Sequence, residues 1–276
     1  MLVADTAPSE QSTEKAYLDM KLGLKLGVNE HALLDAAQEL WASKQFDFLE
    51  LYIPIDSSAT DAKNWQWYDG QIILHAPHAY GGFNFAIPQL EASNLNALRL
   101  LDSFRSDLSP DKIIFHPGLE GQQSEAFRQI DLLRQKFPEL HALMLIENKP
   151  ALGLNGEVCL GASPKEIGAY LAHADCGFCL DIRHAVAYAR WADESWRETL
   201  ACFMQLNPTL WHAADGLISD YKDSHEHIGD GDIPWSEVVK LWSDETYVTI
   251  ECKKESSQNL ADFVIDCQRL NSLIRH

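Results

Sequence analysis

The stretch SPKEIGAYLAHADCGFCLDI, residues 163–182, joins a helical pattern to a strand pattern. Its first half opens with Ser163 and Pro164, and Glu166 follows three residues after the serine, which is typical of a capping box at a helix start. Its second half, CGFCLDI (176–182), is a short apolar run of the kind found in strands buried on both faces. The stretch therefore predicts one helix–strand unit of an α/β protein.

The same alternation of apolar runs and helical patterns continues in both directions along the chain. Strands, some with their following turn or loop, are predicted at 22–27, 46–54, 71–77, 111–118, 141–150, 176–182, 209–215 and 246–254. Helices are predicted at 30–44, 87–104, 123–137, 163–174, 194–206, 234–243 and 259–274. Eight strands, most of them followed by a helix, in about 250 residues predict a single α/β domain, a (β/α)8 TIM barrel over residues 21–276. A doubly wound open sheet is the alternative, but no glycine-rich nucleotide fingerprint follows the first strand.

The beginning of the chain predicts no targeting or membrane segment. Residues 1–20 start MLVADTAPSEQSTEK, which is polar and acidic and lacks the basic and apolar parts of a signal peptide. We interpret them as a flexible leader. No run approaches the ~18 apolar residues that a membrane span requires, so we expect no membrane partner and a cytoplasmic location.

The charge argues against a polyanionic partner. The formal net charge is −19, with 41 acidic and 22 basic residues. Proteins that bind duplex phosphates usually present a basic face, because release of counterions supplies much of the affinity. Duplex DNA is therefore disfavoured as a partner unless the few basic residues cluster.

Ionisable side chains stand at the ends of most predicted strands. They are Glu50, His75, His116, Glu147, Asp181, His184, His212 and Glu251, and the loop DSHEHIGDGDIPW (223–235) adds Asp223 and His225. In a barrel the carboxyl ends of all strands meet on one face, so these residues would converge there. One such histidine is more often structural, but a convergent set is costly to bury unless it is paired or binds a metal. Divalent cations shared among the set would resolve this cost.

The motifs around these residues resemble those of the endonuclease IV family, within the superfamily of xylose isomerase-like TIM barrels. They are HAP (75–77), HPG (116–118), IEN (146–148), LDIRHA (180–185), DSHEHIGDG (223–231) and IE (250–251). The resemblance implies up to three zinc ions and hydrolysis of a phosphodiester by a metal-bound hydroxide beside Glu147. By motif, the nine implied ligands are His75, His116, Glu147, Asp181, His184, His212, Asp223, His225 and Glu251. Mixed imidazole and carboxylate ligands suit manganese or iron as well as zinc.

Two further classes stay open. Sugar (phosphate) isomerases and epimerases of the same superfamily use one metal and a quartet that is present here as Glu147, Asp181, His212 and Glu251. In that alternative Glu147 and Glu251 would transfer the proton. The segment that follows His75 has no lysine or arginine, and the segment after the second strand is acidic and aromatic rather than basic, which favours this alternative. A non-catalytic metal-binding barrel is the third class.

The basic and aromatic residues near the predicted strand ends bear on the substrate. Lys25, Lys149, Arg183 and Lys253 are predicted to bind a small anionic or sugar-containing substrate; Lys222 also flanks the strand ends, and Lys254 is interpreted as surface charge. The aromatic residues Trp65, Trp67, Tyr68, Tyr80, Phe83 and Phe85 are compatible with loop packing or with a stacking wall. Glu50 is left unassigned.

Overall fold

A computed structural model describes residues 20–243 and 245–274, and within them eight parallel strands close a barrel in sequence order. The strands are β1 Lys21–Gly27, β2 Phe48–Tyr52, β3 Gln71–His75, β4 Lys112–Phe115, β5 Met144–Glu147, β6 Gly177–Asp181, β7 Leu210–Ala213 and β8 Tyr247–Ile250. The α-helices are α1 Leu34–Ala42, α2 Glu91–Leu108, α3 Gln123–Lys136, α4 Pro138–Ala142, α5 Pro164–Ala174, α6 Ile182–Trp191, α7 Trp196–Met204, α8 Trp235–Val238 and α9 Ala261–Ile274. The predicted fold is thus confirmed.

Several predicted boundaries differ from the structure. The strand predicted to begin at His141 is wrong over its first residues, because Pro138 starts the short helix α4 and β5 begins only at Met144. Helix α6 was not predicted, because β6 passes into it with no turn between them. The predicted leader, apart from Met20, lies outside the described residues. Among those residues, no helix has the length and apolar character needed to cross a bilayer.

The capping box that opens the helix after β5 is present as predicted. The Ser163 hydroxyl accepts a hydrogen bond from the Glu166 backbone N–H at 3.2 Å. In return, the Glu166 carboxylate accepts from the Ser163 backbone N–H at 3.1 Å. These two bonds satisfy N–H groups that a helix start otherwise leaves unpaired.

The barrel interior contains an apolar layer. It consists of one buried residue from each of six strands, with Tyr247 packed against them: Phe48, Ile73, Ile114, Leu145, Cys179 and Leu210. Gly23 makes room for this layer, because a Cβ there would lie 2.3 Å from the Phe48 ring. Side chains on a strand return to the same face every two residues. The next inward positions are therefore Glu50, His75, His116, Glu147, Asp181 and His212, which explains why the polar residues share one layer.

Candidate metal centre

The first ligand group is built around Glu147, the last residue of β5. Its Oε2 atom lies 3.1 Å from Nε2 of His75 and 3.1 Å from Nε2 of His116. His75 ends β3 and His116 follows β4 directly, so three neighbouring strands place these side chains at one end of the barrel. Glu147 and His75 are buried, and His116 is nearly so.

The second group contains the quartet common to both enzyme classes. One ligand atom from each of four residues lies within 4.8 Å of the others: Glu147, Asp181, His212 and Glu251. His212 Nδ1 is 2.6 Å from Glu251 Oε2 and 3.6 Å from Glu147 Oε2. Both glutamates thus lie near the same imidazole nitrogen.

The third group joins helix α6 to the loop after β7. Asp223 Oδ2 lies 3.0 Å from His184 Nε2 and 2.7 Å from His225 Nε2. His184 is in the first turn of α6, and Asp181 caps that helix by accepting from the His184 backbone N–H at 2.6 Å. The helix cap therefore fixes the position of Asp181 relative to His184 in the Asp-x-x-His motif.

Hydrogen bonds to the buried Asp215 side chain stabilise the loop that carries Asp223 and His225. The Asp215 carboxylate accepts backbone N–H groups from Gly216, Gly229 and Ile233. Gly229 has a φ of 88°, which favours glycine. At Gly231 a Cβ would lie 2.4 Å from Asp215 Oδ1, so the close approach of the two loop segments requires glycine.

The second ring nitrogen of four of these histidines is already occupied. His75 Nδ1 pairs with the Ala76 carbonyl, His184 Nδ1 with the Asn148 carbonyl, and His225 Nδ1 with the Glu251 carbonyl. His212 Nε2 pairs with the Glu50 carboxylate at 3.0 Å. Such outer partners fix the tautomer and orient the other nitrogen towards a metal.

Unpaired buried atoms test whether this centre fits metal ions. Within the described part of the chain, two of the predicted ligands each have a buried oxygen without a hydrogen-bond partner, Asp181 Oδ2 and Asp223 Oδ1, and the 2.6 Å contact between His212 Nδ1 and Glu251 Oε2 lacks hydrogen-bond geometry. Buried polar atoms are normally satisfied, because leaving one unpaired costs about 1–3 kcal/mol. The donors are imidazoles and carboxylates, the ligands that zinc and similar divalent ions accept. The residues present therefore fit a metal centre.

The pKa values of the histidines show which side chains carry a proton that a metal ion has to displace. Burial opposes charge on His184, but the Asp181 and Asp223 carboxylates outweigh it and raise the His184 pKa to about 9. Asp223 likewise outweighs burial at His225, whose pKa is raised to about 10. Burial and the Lys149 charge lower the pKa of His116 to about 3. Since a metal ligand must be deprotonated, ion binding at the third group displaces protons.

The predicted substrate-binding residues occupy different places. Lys149 Nζ lies 3.8 Å from Glu147 Oε1 and lines a cavity beside the first and third groups. Burial would lower the Lys149 pKa, but Glu147 and Asp223 outweigh it and raise that pKa, so the ammonium stays charged. Lys25 is held between two carboxylates, 3.0 Å from Glu50 and 2.6 Å from Glu251.

Arg183 and Lys253 are not brought into this cavity. The Arg183 side chain is fully buried and donates to the backbone carbonyls of Asp220 and Lys222. It therefore anchors the loop that carries the third group, in place of the substrate contact expected from the sequence. Lys253 is exposed and pairs with Glu226 at 2.9 Å.

Most of the aromatic residues around β3 pack into the fold. Trp65, Tyr68 and Phe85 are buried, and Trp67 packs against the core. Tyr80 and Phe83 instead line the cavity beside Lys149, with Leu119, Leu152 and Leu154. The cavity thus has apolar walls near the charged centre.

Three residues near the centre were not assigned a role from the sequence. His78 packs against His75 and His116. Asn148 bridges the backbones of β5 and β6, since its amide donates to the Asp181 carbonyl and accepts from the Asp181 N–H. Glu50 pairs with His212 and Lys25. The sequence offered only weak signals for these three residues. His78 directly follows the HAP motif, Asn148 is the last residue of the IEN motif, and Glu50 is a carboxylate inside an apolar strand.

A comparison with known protein families shows to which family the chain belongs. The family described as xylose isomerase-like TIM barrel matches residues 55–272. The chain belongs to this family. The resemblance noted in the sequence is thereby confirmed.

Individual proteins similar to this xylose isomerase-like barrel carry names of both classes. A protein named "Probable endonuclease 4" from Nitratidesulfovibrio vulgaris is 28% identical over 171 residues, covering 54% of this chain and 59% of the relative. The matched region thus spans little more than half of the relative's length. The crystal structure of endonuclease IV from Thermus thermophilus superposes with a TM-score of 0.66 at 14% identity, over 92% of this chain and 99% of that chain. A D-tagatose 3-epimerase-like protein gives a TM-score of 0.64 at 19% identity, over 93% and 97%. At these identities the two structures show the fold alone.

Proposed function

We propose that this protein is a metal-dependent hydrolase of a phosphoester or phosphodiester with a multinuclear centre. The observation that carries the proposal is the division of the nine predicted ligands into three groups. In each group the ligands fall within 4.8 Å of one another or meet at a shared Glu147 oxygen. A one-metal enzyme needs only the quartet, and the remaining imidazoles and Asp223 would then be buried without a task.

The roles of the residues follow from their positions. When bound, divalent ions would supply Lewis-acid stabilisation of the phosphoryl group and an activated water. Glu147 belongs to both the first and the second group, and Glu251 belongs to the second. The Lys149 ammonium, beside Glu147, would hold a phosphoryl oxygen in the adjoining cavity. Burial of these groups excludes bulk water and strengthens each electrostatic contact.

A small anionic substrate suits the surroundings of the centre better than duplex DNA. The cavity is lined by Lys149 and Lys222 together with Tyr80, Phe83 and Leu119. The net charge of −19 would repel a polyanion. Zinc as the resident ion, with manganese and iron as alternatives, and the cytoplasmic location stay predictions.

One observation favours a second candidate, a one-metal sugar isomerase or epimerase. Oxygens of Glu147 and Glu251 lie 3.6 and 2.6 Å from His212 Nδ1. Two carboxylates beside one metal ligand can act as base and acid when a proton is moved on a bound sugar. The fold neighbours include proteins of this class.

Metal content and reaction type together test the proposal. Protein purified without chelator is expected to contain more than one equivalent of zinc, manganese or iron by elemental analysis. It should hydrolyse a model phosphodiester or an oligonucleotide with one abasic site, and chelation should abolish that activity. A single equivalent of metal, with deuterium exchange from solvent into a ketose and no phosphoester cleavage, would instead establish the isomerase.

A Lys149→Met variant tests the anion contact. The methionine side chain would keep most of the volume but lose the charge, and a hydrogen bond to a charged group contributes about 1.5–3 kcal/mol, so KM should rise at least about tenfold. The effect should appear in KM more than in kcat. Lys165→Met, at an exposed position of α5, is the matched control. An unchanged KM in the Lys149 variant would contradict the predicted contact.

A further inference from the structure

His78 is an imidazole beside the centre that belongs to none of the predicted ligand motifs. It follows β3 by three residues, and its ring stacks on His116 with centroids 4.7 Å apart. Its ring also meets the edge of His75 at 4.9 Å. His78 Nε2 is buried and has no hydrogen-bond partner among the described residues. A buried ring nitrogen of this kind normally has a partner.

The surroundings hold His78 in this position. Its ring packs on Tyr52 with centroids 4.4 Å apart, and its backbone N–H donates to the Tyr52 hydroxyl at 3.4 Å. His75 cannot serve as a hydrogen-bond partner through Nδ1, because that atom pairs with the Ala76 carbonyl. The ring is thus fixed by packing, while Nε2 is left available.

Three imidazoles therefore converge at the first group. One ring nitrogen from each of His75, His78 and His116 lies within 4.8 Å of the other two. Three imidazole nitrogens around one ion are a known catalytic coordination set for zinc, and imidazole also suits copper, nickel and iron. Hard cations such as magnesium prefer oxygen ligands instead.

We propose that His78 is a tenth metal ligand, which completes a three-histidine site with His75 and His116. The assignment rests on the metal centre of the proposed function. It makes the ion at the first group imidazole-rich, whereas the quartet of the second group offers three carboxylates and one imidazole. The ion at the first group is then the most selective for zinc-like metals, and magnesium should not replace it.

A His78→Phe variant tests the assignment, because phenylalanine keeps the stacking on His116 and Tyr52 but removes both nitrogens. Metal affinities are measured by chelator competition, and the coordination is followed in the visible absorption of the cobalt-loaded protein. We expect one ion to be lost or bound at least about tenfold more weakly, the lower limit for losing even an outer-shell partner. The cobalt spectrum should change as well.

The controls separate this result from other causes. His173→Phe removes an imidazole that stacks on Phe127 on the outside of the barrel, and it should leave affinities and spectrum unchanged. His78→Gln repeats the test should the phenylalanine variant unfold. Wild-type affinities and an unchanged cobalt spectrum in both His78 variants would overturn the assignment, even with an altered KM, because His78 would then contact substrate. A wild-type protein that binds no metal would instead overturn the proposed function itself.

Discussion

A Glu147→Gln variant is expected to bind at least one divalent ion about 100-fold more weakly than the wild type and to lose at least about 100-fold in kcat. The reason is that one buried carboxylate serves two ligand groups. Its Oε2 lies 3.1 Å from the His75 and His116 nitrogens, and the same side chain belongs to the quartet with His212. Glutamine keeps the volume but removes the charge that offsets the cations, so the loss is electrostatic.

Measurement of metal content and of single-turnover rates distinguishes this effect from misfolding. The variant should unfold at a temperature similar to the metal-free wild type, while its metal affinity and rate fall together. Glu198→Gln, an exposed position of α7, removes the same charge outside the centre and should leave both quantities unchanged. Retention of full metal affinity in the Glu147 variant would mean that this carboxylate does not bridge ions.

The convergence of the polar residues could be predicted from the sequence because two regularities combine. Strand side chains repeat every two residues, and parallel barrel strands end on one face. Ile73 and His75, or Leu145 and Glu147, therefore occupy successive inward layers, and the apolar member shows the register of the polar one. Residues far apart in the chain can be placed together in this way without any knowledge of their contacts.

Loop and helix positions lack such a rule. His78 lies outside β3, so no periodicity relates it to His75, and its packing on His116 depends on a loop path. Arg183 precedes His184 by one residue, and successive helical residues point about 100° apart, so one side chain enters the centre while the other lies under a loop. Helix geometry could not be used to predict which of the two side chains enters the centre, because α6 itself was not predicted.

Charge pairing inside the barrel was equally hidden. Lys25 and Glu50 are adjacent in the β1–β2 register, but either could have faced the substrate. In the structure Lys25 bridges Glu50 and Glu251, at 3.0 and 2.6 Å. Such partners are far apart in the sequence, so no local pattern relates them. The pairing of buried charges therefore has to be taken from the three-dimensional structure.

This buried network leads to the second large effect, a loss of about 3–5 kcal/mol in the free energy of unfolding for Glu50→Ala. Glu50 is fully buried and accepts from Thr249 at 2.7 Å and from His212 at 3.0 Å, beside the Lys25 ammonium. Burial raises the Glu50 pKa, but His212 and Lys25 outweigh it and lower that pKa to about 2, so the carboxylate is charged at neutral pH. Its removal leaves donors and a cation without their counterpart.

A double-mutant cycle with Lys25→Met separates the charge network from simple loss of volume. Chemical denaturation of the metal-free proteins should show that the double variant loses less than the sum of the two single variants, because neither charge is then left alone. Metal affinity at the quartet should also fall about 10- to 100-fold in Glu50→Ala, since His212 loses the partner that orients its ring. Additive losses in the cycle, together with unchanged metal affinity, would show that Glu50 acts through packing alone and would remove it from the centre.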